Sequence, residues 1–139
     1  MGSLVVWGNV GFDGEEWAVG AARRYVRGLL EGEGVETGEA LLVVSELATN
    51  AVAHGGEGGF EVVVAGGADV VRVEVSDSGA EERPRVREAG EEDETGRGLT
   101  LVEAVARRWG VRWEEHRTTV WAELERRSAS PSVEGEAGR

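Results

Sequence analysis

Apolar residues recur at helical spacing in three segments of the chain. The spacing predicts a first helix from Gly14 to Leu30 and a second from Glu36 to His54. It predicts a third helix that begins near Gly98 and carries Trp109 on its apolar face. Each segment keeps its apolar residues in one stripe, which is typical of a helix that packs on a core.

Apolar and polar residues alternate in four other segments, as they do in half-buried strands. The predicted strands are Phe60–Ala65, Val70–Ser76, Val111–His116 and Thr118–Leu124. Strands joined by short turns are antiparallel. The element order therefore predicts an α+β fold: a two-layer sandwich with a mixed, mostly antiparallel sheet and helices on one face.

The chain of 139 residues has room for one domain, which we expect to span residues 1–125. Residues 126–139 are polar and contain Ser, Pro and Gly, so we expect a disordered tail. Between Asp77 and Gly96 the sequence is rich in charge and lacks periodicity. A loop of that length in a compact domain is usually a functional lid or disordered.

The charge balance excludes several classes of protein. Asp and Glu number 27 against 15 basic residues, for a net charge of -12, which argues against direct nucleic-acid or membrane binding. The chain has no cysteine and every basic residue is arginine, which excludes disulfides, thiolate metal sites and the lysine-containing phosphate loop. With no signal peptide and no membrane-spanning segment in the sequence, we expect a cytoplasmic protein.

Glu46 and Asn50 lie four residues apart in the second predicted helix, at the border of its apolar stripe. An amide oxygen is a ligand for a hard cation such as Mg²⁺, and a carboxylate can accept a proton as a general base. An ordinary polar pair at the margin of a helix is the alternative.

Two glycine-containing segments offer further candidates. Asp77 ends a predicted strand and would project into a crevice there, while Gly79 would let a ligand approach the backbone. Gly96-Arg97-Gly98-Leu99 stands directly before the third predicted helix, where free N–H groups bind anions. A plain turn and a flexible start to the helix are the respective alternatives.

Taken in order, these motifs resemble the gyrase/histidine-kinase ATPase superfamily (GHKL, the Bergerat fold). Within it, the chain is most similar to the bacterial anti-sigma-factor serine/threonine kinases and related small regulatory ATP-binding proteins. SELATNAVAHG resembles the N box, VEVSDSGA and GRGLTLVEAVARRWGV the two glycine boxes, and TTVWAELE the closing strand. The resemblance extends from Trp7 to Glu125.

The resemblance implies ATP and Mg²⁺ as cofactors and assigns a role to each motif. Glu46 would be the general base, Asn50 would ligate Mg²⁺, and Asp77 would accept a hydrogen bond from adenine with the support of Thr119. The glycine box at 96–98 would cap the phosphates. The implied cofactor-binding residues are Asn50, Asp77, Gly79, Gly96, Arg97, Gly98, Leu99 and Thr119.

The implied function is transfer of the ATP γ-phosphate to a serine or threonine of an anti-anti-sigma (STAS-type) partner, sequestration of a sigma factor, or both. A homodimer is a further expectation from the resemblance. Where a second glycine is common in the first glycine box, this chain has Ala80-Glu81. The alternative is therefore a nucleotide-gated protein-binding module with little or no phosphotransfer, and a third is a scaffold that has lost the nucleotide.

The acidic residues are concentrated beside this expected nucleotide site. Glu31–Glu46 holds five acids and no base, and Glu81–Glu94 holds seven acids against three arginines. The two stretches account for nine of the twelve net negative charges. Because ATP is itself an anion, we expect its binding to depend strongly on Mg²⁺.

Overall fold

A computed structural model describes residues 3–55, 58–77 and 92–129. The strands are β1 (Val5–Phe12), β2 (Phe60–Gly66), β3 (Val70–Asp77), β4 (Arg108–Glu114) and β5 (Arg117–Glu125). The helices are α1 (Trp17–Gly32), α2 (Gly38–Gly55) and α3 (Glu92–Val105). The strands form one antiparallel sheet in the order β1-β2-β3-β5-β4, which confirms the predicted α+β fold class.

The two faces of the sheet differ because side chains alternate along each strand. Inward residues such as Val62, Val73 and Ala122 are fully buried against the helices. The outer face carries charge: the Arg72 guanidinium lies 2.7 Å from both Glu74 and Glu123. The helices therefore form a single layer on one face of the sheet. Functional groups are expected where that layer meets the ends of the strands.

The α2 helix provides the largest share of the helical core. Its inward residues are mainly Val, Leu and Ala, and their small or compact side chains bring the helix close to the sheet. The buried members are Ala40, Leu41, Val43, Val44, Leu47, Ala48 and Ala51. This packing fixes how the polar side chains at the helix margin are presented.

Replacing Leu47 with alanine is expected to lower the free energy of unfolding by about 2–5 kcal/mol, because Leu47 is only 2% exposed and its removal leaves a cavity. Leu42 lies on the same helix but is 38% exposed. Leu42→Ala, the matched control, is expected to lower it by less than about 1 kcal/mol. Urea denaturation measures both, and equal losses would contradict the burial assigned to α2.

The N-terminal strand β1 was not among the predicted elements. Its sequence, VVWGNVGF, lacks strict alternation of apolar and polar residues, since two glycines interrupt the apolar pattern. A β-bulge at Trp7 also shifts the register of β1 against β2, so the two sides of the strand do not follow a simple period of two. Gly8 has a packing reason, since a Cβ there would collide with the side chains of Tyr25 and Leu29. The close approach of α1 to β1 thus requires glycine in the strand.

The third helix and the strand after it also begin earlier than predicted. The α3 helix starts at Glu92, so residues 92–96 are helical rather than part of a loop, and residues 78–91 lie outside the described part. Trp109 belongs to β4, where it pairs with Ala122. Its spacing fits a helix from Leu99 and also a strand with Val111, and pairing with β5 selects the strand.

The first residues of the predicted disordered tail are ordered. The Glu36 N–H donates to the Arg127 carbonyl oxygen at 2.8 Å, and the Ala129 N–H donates to the Gly34 carbonyl oxygen at 2.9 Å. Residues 126–129 therefore pair with the α1–α2 connection. The prediction that the disordered tail begins at residue 126 is wrong for these four residues. The remainder of the predicted tail, 130–139, lies outside the described residues.

Candidate functional site

Asp77 is the last residue of β3 and lies on the side of the sheet that faces the helices. Val71, Val73 and Val75 are buried on that face, and the alternation places Asp77 in line with them. Partial burial raises the pKa of the Asp77 carboxyl above its usual value, while the nearby charges of His54 and Arg117 lower it. A half-buried carboxylate thus lies at the end of the central strand β3, beside the end of α2.

Three polar residues of α2 lead away from Asp77. Glu46, Asn50 and His54 are each four residues apart, so they form a row along one side of the helix that spans about 12 Å. His54, near the end of α2, is the member whose charge acts on Asp77. The row therefore extends from the neighbourhood of Asp77, at the end of β3, to Glu46 near the middle of α2.

Glu46 and Asn50 are half-buried. Among the side chains that the structure describes (residues 3–54, 58–77 and 99–129), neither has a hydrogen-bond or ion-pair partner. Glu46 is also the one charged residue between Ala40 and Ala53. Partly buried polar groups are normally satisfied by the fold, and the described part of the chain supplies no partner for this pair, which makes it a candidate for binding a ligand.

Thr119 does not lie beside Asp77, contrary to the predicted support of that aspartate. Thr119 pairs with Ser76 across β3 and β5, and their buried hydroxyl groups share a hydrogen bond of 2.7 Å on the outer face. The residue opposite Asp77 is Thr118. Adjacent residues of a strand point to opposite faces, so a difference of one position exchanges the two roles.

Replacing Thr119 with valine is expected to lower the free energy of unfolding by about 1–3 kcal/mol, because the buried Ser76 hydroxyl loses its partner. Thr118→Val is the matched control and should have a smaller effect on stability, since Thr118 is only partly buried. Thermal or urea unfolding of both variants measures this difference. A larger loss for Thr118→Val would contradict the assignment of the two faces.

The segment Gly96-Arg97-Gly98 lies inside α3 rather than directly before a helix. Only the first four N–H groups of a helix lack a partner within it, and α3 begins at Glu92. The prediction of free N–H groups at residues 96–98 is therefore wrong, and a phosphate contact by Arg97 stays a prediction. Leu99 packs against the core. Gly79 lies outside the described residues.

Two cavities lie near this end of the molecule, and neither is lined by Glu46, Asn50 or Asp77. One, of about 330 Å³, opens beside Ser76 and the ion pair between Arg117 and Glu61. The other, of about 300 Å³, lies between α1 and α2 and is lined by Glu16, Val19, Thr49, Val52 and Ala53.

The chain matches the family described as the histidine kinase-like ATPase domain over residues 13–124. It belongs to this family. Membership supports an ATP-binding regulatory function for this histidine kinase-like ATPase domain, with Mg²⁺ the usual metal of the fold. No curated protein matches the chain at a significant level. Among residues 3–55, 58–77 and 92–129, no helix combines the length and apolar character needed to cross a membrane.

The side chains of this ATPase domain fit an ATP·Mg²⁺ ligand through two oxygen-bearing groups, the Asn50 amide and the Asp77 carboxylate. Within the described residues, no three acidic, histidine or cysteine side chains are grouped closely enough to hold a metal ion by themselves. Mg²⁺ commonly takes one or two protein oxygens and completes its shell with phosphates and water. The Asn50 amide oxygen suits that shared coordination, and the Asp77 carboxylate suits an amino group.

Sequence reasoning missed two residues that the fold brings to Asp77. Thr118 is its neighbour in the β3–β5 pairing, and Arg117, like His54, is close enough to affect its pKa. Strand alternation in RTTVWAELE was a usable signal for Thr118, provided that the register against β3 was known. The approach of His54 and Arg117 depends on contacts between distant elements, for which the sequence offers no local signal.

Proposed function

We propose that this protein is an ATP-dependent serine/threonine kinase of the anti-sigma-factor type. It would phosphorylate an anti-anti-sigma (STAS-type) partner, sequester a sigma factor, or do both. The observation that carries the proposal is the Glu46–Asn50 pair: both side chains are half-buried, one turn apart and without a partner in the described part of the chain. Their helix ends beside Asp77, the one acidic side chain in the described part whose pKa burial clearly raises.

Each residue of the row has a distinct role in the proposed reaction. Asp77 accepts a hydrogen bond from the amino group of adenine and so orients the nucleotide. Asn50 supplies an oxygen to Mg²⁺, which neutralises phosphate charge when bound. Glu46 accepts the proton of the partner's hydroxyl group, whose oxygen then bonds to the γ-phosphorus as ADP leaves. Positioning and charge stabilisation supply the catalysis.

Removing Mg²⁺ is expected to weaken ATP binding at least about tenfold, because the site lies in an acidic protein and Asn50 is a neutral ligand. Isothermal titration calorimetry with ATP, in the presence of Mg²⁺ and then of EDTA, measures the difference. Adenosine, which carries no phosphate, is the control and should bind equally in both buffers. Equal affinity for ATP with and without Mg²⁺ would contradict the metal site.

Phosphotransfer is tested by incubating the protein with γ-labelled ATP and STAS-type candidate partners. Label on a partner serine or threonine supports the kinase. A nucleotide-gated binding module is the second candidate, and it is favoured by the helical position of Gly96 and Gly98, which leaves their N–H groups bonded within α3. ATP binding without label on any partner would select that module, and no ATP binding would contradict both.

A further inference from the structure

The exposed face of α1 has the opposite charge to the rest of the molecule. Arg23, Arg24 and Arg27 are exposed, and no acidic residue occurs between Trp17 and Leu30. The whole chain carries a net charge of -12, so this concentration of positive charge is local. Residue 27 lies four positions after residue 23 and three after residue 24, which places the three side chains on one side of the helix.

These three arginines differ from the other arginines of the structure. Each described arginine of the sheet, of the α3–β4 connection and of the segment after β5 makes an ion pair, a hydrogen bond or a contact with an aromatic ring. They are Arg72, Arg107, Arg108, Arg112, Arg117, Arg126 and Arg127. In the described part of the chain, Arg23, Arg24 and Arg27 make no such contact. The fold therefore uses its other arginines and leaves those of α1 to solvent.

The shape of the same face suits close approach by another molecule. Arg24 extends over Gly20, where an added Cβ would lie 3.5 Å from its Nη1 atom, and nothing lies within 4 Å of the Cβ position at Gly28. Glycine inside a helix lowers stability by about 1 kcal/mol relative to alanine, and no neighbour in the described part of the chain requires it at residue 28. Trp17, at the start of the helix, is 61% exposed.

We propose that this face of α1, formed by Arg23, Arg24, Arg27 and Trp17, docks an acidic segment of a partner protein. Arginine and tryptophan are enriched at the centres of protein interfaces, and guanidinium groups bind carboxylates through paired hydrogen bonds. From Trp17 to Arg27 the face is about 15 Å long, which matches three turns of a partner helix. The inference rests on the proposed partner-binding function and is independent of phosphotransfer.

The charge of the rest of the protein favours a compact acidic segment over an extended polyanion. A nucleic acid or an anionic membrane would extend beyond the three arginines and meet the acidic remainder of the chain. A short acidic segment meets the basic face alone. Opposite charge would also speed the encounter and make the affinity dependent on salt.

The proposal is tested with a fluorescein-labelled deca-glutamate peptide, measured by fluorescence anisotropy at low ionic strength. The variant Arg23→Gln/Arg24→Gln/Arg27→Gln is expected to bind it at least about tenfold more weakly than wild type. The control Arg107→Gln/Arg112→Gln/Arg127→Gln removes the same charge from partly exposed arginines that have partners, and should stay within about twofold.

Several results would overturn the proposal. These are no binding of the peptide by wild type, equal losses in the two triple variants, or tighter α1-dependent binding of a ten-base-pair DNA duplex than of the peptide. Circular dichroism and ATP titration of the same samples separate this test from that of the proposed function. A triple variant of α1 that binds the peptide weakly but binds ATP as wild type does supports the docking proposal. Failure of the wild-type protein to bind ATP would contradict the nucleotide site and leave the docking proposal unaffected.

Discussion

Replacing Glu46 with glutamine is expected to lower the rate of phosphate transfer by about 10²- to 10⁴-fold, the contribution typical of a general base. Glutamine keeps the size and hydrogen-bonding reach of the side chain but cannot accept the proton of the partner's hydroxyl. Glu46 makes no ion pair with a described side chain, so within that part of the chain the substitution leaves no cation without its partner. The fold and the affinity for ATP·Mg²⁺ should therefore change little, within about threefold.

Single-turnover transfer from labelled ATP to the partner measures the rate, and calorimetry measures the affinity. Glu103→Gln is the matched control, because Glu103 is an exposed glutamate of the neighbouring helix α3. It should transfer phosphate at the wild-type rate. Transfer by Glu46→Gln at the wild-type rate would show that another group accepts the proton, and a parallel loss of ATP affinity would indicate a binding role for Glu46 instead.

The parts of the fold that were predicted correctly are those where short-range pattern decides the structure. In β3, valines alternate with Arg72 and Glu74, and the predicted strand differs from the observed one by a single residue. The α2 helix ends within one residue of its predicted end, at Gly55, the first residue of a glycine pair in the sequence. In both elements, propensity, apolar period and the residues at the ends all favour the same structure.

The errors occur where two patterns compete or where tertiary contacts decide. Gly8 weakens the strand signal of β1, and the packing of Tyr25 and Leu29 against it explains the glycine. Trp109 satisfies a helical period and a strand period, and the pairing with β5 decides between them. The observed start of α3, upstream of Gly96 and Gly98, could not be inferred because glycine usually ends a helix or precedes it.

The candidate site divides in the same way. Glu46 and Asn50 lie on one helix, so their spacing predicts that they share a face without any knowledge of the fold. The choice between Thr118 and Thr119 depends on the register of β5 against β3, which spans more than forty residues of sequence. Local spacing thus predicts pairs within one element, whereas the environment of Asp77 is a property of the assembled sheet.

Replacing Asp77 with asparagine is expected to weaken ATP binding by about 10- to 100-fold, because a charged hydrogen bond to the adenine amino group is worth about 1.5–3 kcal/mol. The same variant should be more stable than wild type at pH 7. Partial burial raises the pKa of Asp77 in the folded state above its usual value of 3.8, so folding disfavours the ionised carboxylate. Asparagine is neutral and avoids this penalty.

The sign of the pH dependence follows from that raised pKa. Above the folded-state pKa, the carboxylate is ionised in both the folded and unfolded chains, and the destabilisation is complete. As the pH falls through the folded-state pKa and then below 3.8, Asp77 becomes protonated and the destabilisation disappears. The melting temperature of Asp77→Asn should therefore exceed that of wild type at pH 7, and the difference should shrink as the pH approaches 4.

Asp69→Asn is the control, since Asp69 is exposed between β2 and β3 and the contact given for its carboxylate is a long ion pair of 3.8 Å with Arg107. It should change neither ATP affinity nor the pH dependence of the melting temperature. Calorimetric titration and thermal unfolding at several pH values measure both quantities. A variant that gains stability yet binds ATP like wild type would leave Asp77 as a buried carboxylate with no part in binding. A variant less stable than wild type at pH 7 would show that the attraction of His54 and Arg117 outweighs the effect of burial.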